Sequence, residues 1–406
     1  MRYLAQNVYF VEGKCKAAFY DLNVGKLYHV SAEGKALVNQ VLSGAANLSG
    51  QERKFVGQLE HCGLLVATPS GKHDISELRI NTKVMFAWLE ITTSCNLKCR
   101  HCYDEASFGK GASLSYEFYC HIIDELVANG IRNIQFIGGE PFMLGKEIFP
   151  YLDYAVGKFE RIEIFTNGTL VRREWLSYFK KHHIRFALSV YSYQSFEHEK
   201  VTGVADSWVR TNQTIQWLHD AGISYRVCNV RMKNVELGEK ATSLYRLHEK
   251  KDVVRLTGRA NLGLLSKKLL AYRLITKETF SRPLDRQQMV RIVSGHNCFS
   301  TRVYIGVDGT VYPCVMERRK NYGNLNNQPL KVLLEHRLKA LTKDRIKGCQ
   351  DCEFRYACFD CRPDSAGRGL LDKPWYCTYE PSLGIWREAE SFMDEVLGGE
   401  QFPSNR

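Results

Sequence analysis

No stretch of this 406-residue chain approaches the roughly 20 consecutive apolar residues that cross a bilayer, so a membrane-embedded protein is not expected. The start, Met1-Arg2-Tyr3-Leu4-Ala5-Gln6, lacks the apolar stretch of a secretion signal, and a cytoplasmic location is the expectation. Basic residues exceed acidic ones, 56 against 44, for a formal charge of +12. No Lys/Arg-rich run concentrates that excess, so a nucleic-acid partner is not expected either. Internal repeats and low-complexity tracts are also missing. With 44% hydrophobic and 25% charged residues, the composition is that of an ordinary globular protein and excludes a disordered or fibrous one. The length suggests about two to four domains.

What the chain has in excess is cysteine, with 14 residues. In a reducing compartment thiols hold metal or do redox chemistry more often than they form disulfides.

Residues 1–80 read as a small unit. Val8–Val11, Ala17–Tyr20 and Lys26–Val30 have strand character, and Ser31 offers an N-cap to a helix carrying Ala36, Leu37 and Val41. A second helix is expected from Ser49 to His61, and Thr68–Asp74 has linker composition. This order gives a winged-helix-like domain. Residues 81–262 alternate strands and helices. The strands are Val84–Thr92, Ile134–Ile137, Ile162–Phe165, Arg185–Ser189, Ser224–Val230 and Val253–Leu256, with helices between them that include one over Leu237–Lys250. Such alternation makes right-handed βαβ units and a parallel sheet. Six units are too few for a closed eight-fold barrel, so the fold class is α/β with a partial (β/α)6 TIM-like barrel. Residues 263–297 form a bridge, 298–384 a Cys-rich domain, and 385–406 a C-terminal helix (Ile385–Val396) and tail.

Cys95, Cys99 and Cys102 follow the first strand of the repeat at C-x3-C-x2-C. Three thiols on one loop can converge on one metal centre, and three ligands leave one iron of a four-iron cluster open to a small molecule. Structural zinc needs a fourth ligand, and His101 sits too close to Cys102 to serve easily. Gly138-Gly139-Glu140-Pro141 closes the second strand. Its glycines admit a close ligand, and Glu140 offers a carboxylate to an amine. Together the two motifs resemble the radical S-adenosylmethionine (SAM) superfamily. The resemblance implies a [4Fe–4S] cluster on Cys95, Cys99 and Cys102, SAM on the open iron, and the Gly138–Pro141 loop at the SAM amino group. It also suggests SAM contacts at the strand ends: Asn167, Ser189 for the ribose, Arg231 for the carboxylate and Gly258 near the adenine.

The C-terminal cysteines are Cys298, Cys314, Cys349, Cys352, Cys358, Cys361 and Cys377. They resemble the SPASM extension of radical SAM proteins, with a Cys358–Cys361 spacing one residue shorter than usual. The resemblance implies two auxiliary iron–sulfur clusters, one on Cys298, Cys314 and Cys361, the other on Cys349, Cys352, Cys358 and Cys377. An open iron or a non-Cys ligand such as His296 would complete the first. Cys15, Cys62, Cys120 and Cys228 read as small buried hydrophobes.

With this domain order the chain resembles SPASM peptide maturases. The implied activity is hydrogen abstraction from a ribosomally made precursor peptide to install a thioether or carbon–carbon crosslink. The implied partners are that peptide, its leader docked on the N-terminal domain, and an electron donor such as flavodoxin or ferredoxin. The alternatives are a formylglycine-forming sulfatase maturase, against which Val315 after Cys314 speaks because an acidic residue is expected there, and a non-catalytic zinc- or peptide-binding scaffold.

Overall fold

The computed structural model describes all residues except 45–46, 72, 110, 236, 239–249, 336–340, 366–368 and 399–406. The expected helix over Leu237–Lys250 lies almost wholly outside the described residues. The chain divides into two units: residues 1–82 with 274–300 and 338–406, and residues 83–273 with 301–337.

The first unit begins with β1 (Tyr3–Leu4), β2 (Val8–Glu12), β3 (Ala17–Asp21) and β4 (Lys26–Val30), then α1 (Ala32–Leu42), α2 (Gly50–His61) and β5 (Leu65–Val66). β2, β3 and β4 form an antiparallel sheet with β3 in the middle, and β1 pairs with β5. The cap read from sequence at Ser31 is made, and the structure adds one at Ser49. The Ser31 hydroxyl accepts from Gly34 N, and Ser49 and Glu52 form a reciprocal capping box on α2. Val8, Phe19, Val38, Val56, Leu59 and Leu64 close one core between sheet and helices.

This N-terminal part is also fastened to the cysteine-rich C-terminal loop. Lys14 N donates to Asp351 O at 2.7 Å, and the buried Tyr20 hydroxyl donates to Glu353 O at 2.8 Å. A Cβ on Gly13 would stand 2.8 Å from Asp351 O, so the approach is one that only glycine permits. Further on, Ile385–Trp386 is not helical as expected. It pairs antiparallel with Tyr379–Glu380, and Trp386 packs on Tyr379 at 4.5 Å between ring centres. Glu388 caps the helix that follows, so it starts only at Ala389.

The second unit is built on β6 (Phe86–Thr92), β7 (Ser94–Cys95), β8 (Ser107–Phe108), β9 (Asn133–Gly138), β10 (Arg161–Thr166), β11 (Arg185–Ser189), β12 (Tyr225–Arg231) and β13 (Lys250–Val253). Between these strands run α3 (Tyr116–Ala128), α4 (Ile148–Ala155), α5 (Leu176–Lys181), α6 (Ser195–Thr202) and α7 (Ser207–Asp220). β6, β9, β10, β11, β12 and β13 lie side by side in chain order, all parallel. β14 (Arg302–Ile305) adds to β6 in parallel, and β15 (Thr310–Tyr312) and β16 (Gly323–Asn324) continue antiparallel. The sheet is therefore mixed and nine-stranded. The sixth strand runs over Lys250–Val253 and shares only Val253 with the expected Val253–Leu256, which leaves Val254–Thr257 as irregular chain beside the carboxyl ends of the other strands.

One polar rung crosses the sheet. Glu163 on β10 takes two bonds from Arg226 on β12, at 2.7 and 3.2 Å, and one from Gln135 on β9. Burial opposes the Glu163 carboxylate, and Arg226 overcomes it and holds the group below its usual range. Arg226→Met should destabilise the protein by about 3 kcal/mol, because it leaves a buried carboxylate without its cation. Chemical denaturation should show that loss, and Arg226→Met combined with Glu163→Gln should recover most of it.

Candidate active site

The loop after β6 carries Cys95, Cys99 and Cys102. Cys95 lies in β7, which pairs in parallel with β8. Its sulfur accepts from Leu97 N at 3.4 Å, and Cys102 N donates to Cys99 O at 3.2 Å. Two distant segments hold the loop. From α6, Thr202 O and Val201 O accept from Lys98 N and Arg100 N, at 2.8 and 3.1 Å. From the chain after β13, Arg259 N donates to Cys102 O at 2.9 Å. A Cβ on Gly258 would fall 2.4 Å from Cys102 O and 2.6 Å from Tyr103 O. Gly258 therefore serves close packing on the cysteine loop, and its neighbour Thr257 is the residue on the cavity wall.

The Gly138–Pro141 loop closes against the same backbone. Gly139 N donates to Thr92 O at 2.8 Å and Glu140 N to Ser94 O at 2.7 Å. Gly138 has φ 134°, and a Cβ there would stand 2.1 Å from Thr92 O. On Gly139 a Cβ would stand 2.1 Å from Ser94 O. Side chains are excluded at both positions, so the loop presents bare backbone.

Glu140 departs from expectation. Its carboxylate is fully buried and does not line the cavity. It accepts from Phe142 N (3.0 Å), the Thr166 hydroxyl (2.6 Å) and Asn167 N (2.7 Å), tying the end of β9 to the end of β10. Pro141 is buried and opens the turn that Glu140 caps. Burial pushes the Glu140 carboxyl up to about 7 against those bonds.

A cavity of about 190 Å³ opens over these elements, and Cys95, Cys99 and Cys102 all line it. Gly138, Gly139, Asn167 and Ser189 line it as well. Asn167 is fixed by Asn96 and Thr169. Arg231 is not on the wall, and its guanidinium lies 5.2 Å from the centre of the Tyr272 ring. The cause is strand alternation: Cys228 and Val230 of β12 line the cavity, and Arg231 falls on the other face. The cation on the wall is Arg255, paired with Asp252 at 2.7 Å. Tyr191, Cys228, Arg255 and Asp104 are wall residues that sequence reasoning did not assign. The period-2 count along β12 was the available signal for Cys228.

Burial raises Cys95 to about 12 and raises Cys99 as well, so neither sulfur carries charge without a compensating cation. His101, with its ring edge-on to Tyr191 at 4.7 Å, is lowered to about 4 by burial and is neutral. Its buried Nδ1 has no partner among the described residues. Three thiols on one wall, a side-chain-free glycine cradle and a partnerless ring nitrogen fit a thiolate-held cluster with a polar ligand beside it.

Cys349, Cys352, Cys358 and Cys377 together line a second cavity, in the first unit. Burial raises all four thiols, Cys349 to about 11 and Cys358 to about 12, while Lys343 pulls these two back. Cys298 and Cys361 belong to the first unit and Cys314 to the second. His296 uses Nδ1 to accept from Cys298 N and Phe299 N, at 3.3 and 3.4 Å, so only Nε2 remains for any ligand. Of the four other cysteines only Cys228 is buried. Cys62 is exposed at the end of α2, and Cys15 and Cys120 are half-buried, so the expectation of buried hydrophobes fails for three of them. Among the described residues no three His, Cys, Asp or Glu side chains gather around a single-ion position. A cluster takes its thiolates at separate irons, and the shared cavity walls are the observations that bear on it.

The profile of the radical SAM superfamily matches residues 89–233, and that of the SPASM iron–sulfur cluster-binding domain matches residues 298–353. The chain thus carries a radical SAM domain and a SPASM region. It is 38% identical over 147 residues to the antilisterial bacteriocin subtilosin biosynthesis protein AlbA of Bacillus subtilis, covering 35% of this chain and 32% of that one. The match thus spans about a third of AlbA. To an AdoMet-dependent heme synthase of Nitratidesulfovibrio vulgaris it is 25% identical over 355 residues, covering 73% of this chain and 92% of that one. Among solved structures, Streptococcus suis SuiB bound to the precursor peptide SuiA aligns with TM-score 0.55 at 14% identity, over 92% of this chain and 99% of that one. AdoMet-bound anSMEcpe aligns with TM-score 0.53 at 17% identity, over 78% and 98%. At these identities the two structures speak for the fold.

The Glu140 geometry sets a pH dependence. A carboxyl raised to about 7 in the folded chain binds its proton more tightly there than when unfolded. Its contribution therefore favours folding at low pH and is lost as pH rises from the ordinary carboxylate range towards about 7. Glu140→Gln should flatten that part of the slope: melting temperatures recorded from pH 5 to pH 8 should fall less for the variant than for the native protein.

Proposed function

We propose that this radical SAM protein is an enzyme that modifies a ribosomally made precursor peptide by installing a thioether or carbon–carbon crosslink. The observation that carries the reading is the single cavity walled by Cys95, Cys99 and Cys102 and floored by the Gly138–Gly139 backbone. Those three thiols would hold a [4Fe–4S] cluster. The chemistry supplied by that cluster with SAM, when bound, is reductive cleavage to methionine and a 5′-deoxyadenosyl radical that takes hydrogen from an unreactive C–H.

The chain's own residues supply binding and enclosure. Gly138 and Gly139 lend backbone to the SAM amino end, and Glu140 acts behind them by locking two strand ends. Asn167 and Ser189 offer polar contacts along the nucleoside, with Thr257 beside Gly258. Arg255 takes the carboxylate role first expected of Arg231. Six parallel strands in chain order support a partial (β/α)6 TIM-like barrel, whose strand ends are the usual ligand face. Cys349, Cys352, Cys358 and Cys377 would hold an auxiliary cluster as an electron acceptor.

The peptide half of the reading rests on the N-terminal part, read as winged-helix-like. Its β2 and β4 are sheet edges on which a leader can add as a strand. The fold alignment with SuiB covers this part as well as the core, since it spans 92% of the chain. AlbA, a bacteriocin biosynthesis protein, points the same way. An electron donor of the flavodoxin or ferredoxin type would reduce the core cluster. No helix among the described residues is long and apolar enough to cross a membrane, and we place the protein in the cytoplasm, whose reducing conditions suit thiolate-held clusters. The coverage of the heme synthase favours a second reading, a tetrapyrrole substrate.

The test is mass spectrometry of a precursor peptide encoded beside this gene after anaerobic co-expression, with Cys95→Ala as control. The expected result is loss of two hydrogens per modified site, absent in the control. An unchanged peptide that takes up no solvent deuterium contradicts the peptide reading. Heme formation from its precursors by the purified protein would then establish the second.

A further inference from the structure

The first unit buries a charged set that the reaction scheme leaves unused. Lys343 is 4% exposed, Asp360 2% and Arg362 0%. Asp360 binds both cations at once, Lys343 at Oδ1 and Arg362 at Oδ2. Arg362 spends further donors on backbone oxygens, Leu370 O at 3.1 Å and Asp372 O at 2.8 Å. The Lys343 ammonium has only one other partner among the described residues, the Cys358 sulfur at 3.8 Å. His296, Tyr376 and Cys349 also face this set, and burial favours the neutral form of each.

A buried ammonium carries three protons and is expensive to leave short of acceptors. Lys343 shares its one carboxylate with a second cation. The other group it meets is a thiol, which is a weak acceptor, whereas a metal-bound thiolate is anionic and a strong one. Lys343 also lines the same cavity as Cys349, Cys352, Cys358 and Cys377. The ammonium is placed for an anionic sulfur.

We propose that Lys343 is a positioning residue for the auxiliary cluster held by Cys349, Cys352, Cys358 and Cys377, donating a charge-assisted N–H···S bond to the Cys358 thiolate and thereby raising that cluster's reduction potential. The inference rests on the reading of these four cysteines as cluster ligands. A fixed positive charge and a hydrogen bond at a ligand sulfur both favour the more negative, reduced cluster. Lys343 thus makes this centre a better acceptor for the electron released when a substrate radical closes a crosslink. Asp360 sets how much of that charge the cluster feels.

The experiment uses the full chain carrying Cys95→Ala, Cys99→Ala and Cys102→Ala, reconstituted anaerobically, so that only auxiliary centres titrate. Iron and sulfide are counted, and midpoint potentials are followed by electron paramagnetic resonance. Cys358→Ala identifies the component that belongs to this site by removing it. Lys343→Gln should move that component to a more negative potential, and Lys343→Arg should keep it near the native value. Asp360→Asn retains the ammonium and removes the negative charge, so it should move the component to a more positive potential, a readout that stands even if the Gln variant fails to fold. Unshifted potentials in Lys343→Gln and Asp360→Asn, with the component present, overturn the role of Lys343 alone. Absence of iron from the triple variant overturns the cluster reading itself, and the inference with it.

Discussion

A sulfur buried away from water does not give up its proton unless a cation meets it. That constraint shapes both cysteine-bearing cavities. Burial drives Cys95 and Cys99 upward in one and Cys349 and Cys358 in the other. Thiols in this state are poor nucleophiles and poor ligands for weakly held ions, and a metal that brings several units of positive charge reverses the balance. The two cavities differ in what else they contain. The first adds glycine backbone and polar strand ends, as a reactant site needs. The second adds the buried cation Lys343 and aromatic walls from Phe354, Tyr379 and Trp386, which suit an electron store closed to water.

The reactant site is held together mainly by main-chain contacts. Thr92 O and Ser94 O accept from the Gly-Gly turn, Thr202 O and Cys102 O fasten the cysteine loop, and Glu140 bolts two strand ends together from behind. Main-chain bonds of this kind fix the cavity independently of the side chains that face it. Chemistry can then vary on the wall, at Tyr191, Cys228 and Arg255, without disturbing the cradle.

Much of this was legible in the sequence because the signals were local. The cap at Ser31, the apolar strands and the cysteine spacing each depend on a few adjacent residues, and each reappears in the structure. What escaped depends on contacts between distant residues or on which face a strand turns inward. Arg231 and Arg255 exchange the role of wall cation because alternation along β12 decides the face. Gly258 was read as ligand backbone and instead packs on Cys102. The strand Arg302–Ile305 was hidden because its partner, Phe86–Thr92, lies more than 200 residues earlier. The bond from Tyr20 to Glu353, which fastens the N-terminal sheet to the cysteine loop, is likewise invisible to any local pattern.

We infer that the Cys95–Cys102 loop and the Gly138–Gly139 cradle together make a site for reductive SAM cleavage. The most direct measurement is chromatographic quantification of 5′-deoxyadenosine from iron-loaded protein, reduced under anaerobic conditions with SAM. The native chain should yield 5′-deoxyadenosine and Cys99→Ala none. An iron-loaded native chain that leaves SAM intact, or a Cys99→Ala variant that forms as much 5′-deoxyadenosine as the native chain, would rule this site out.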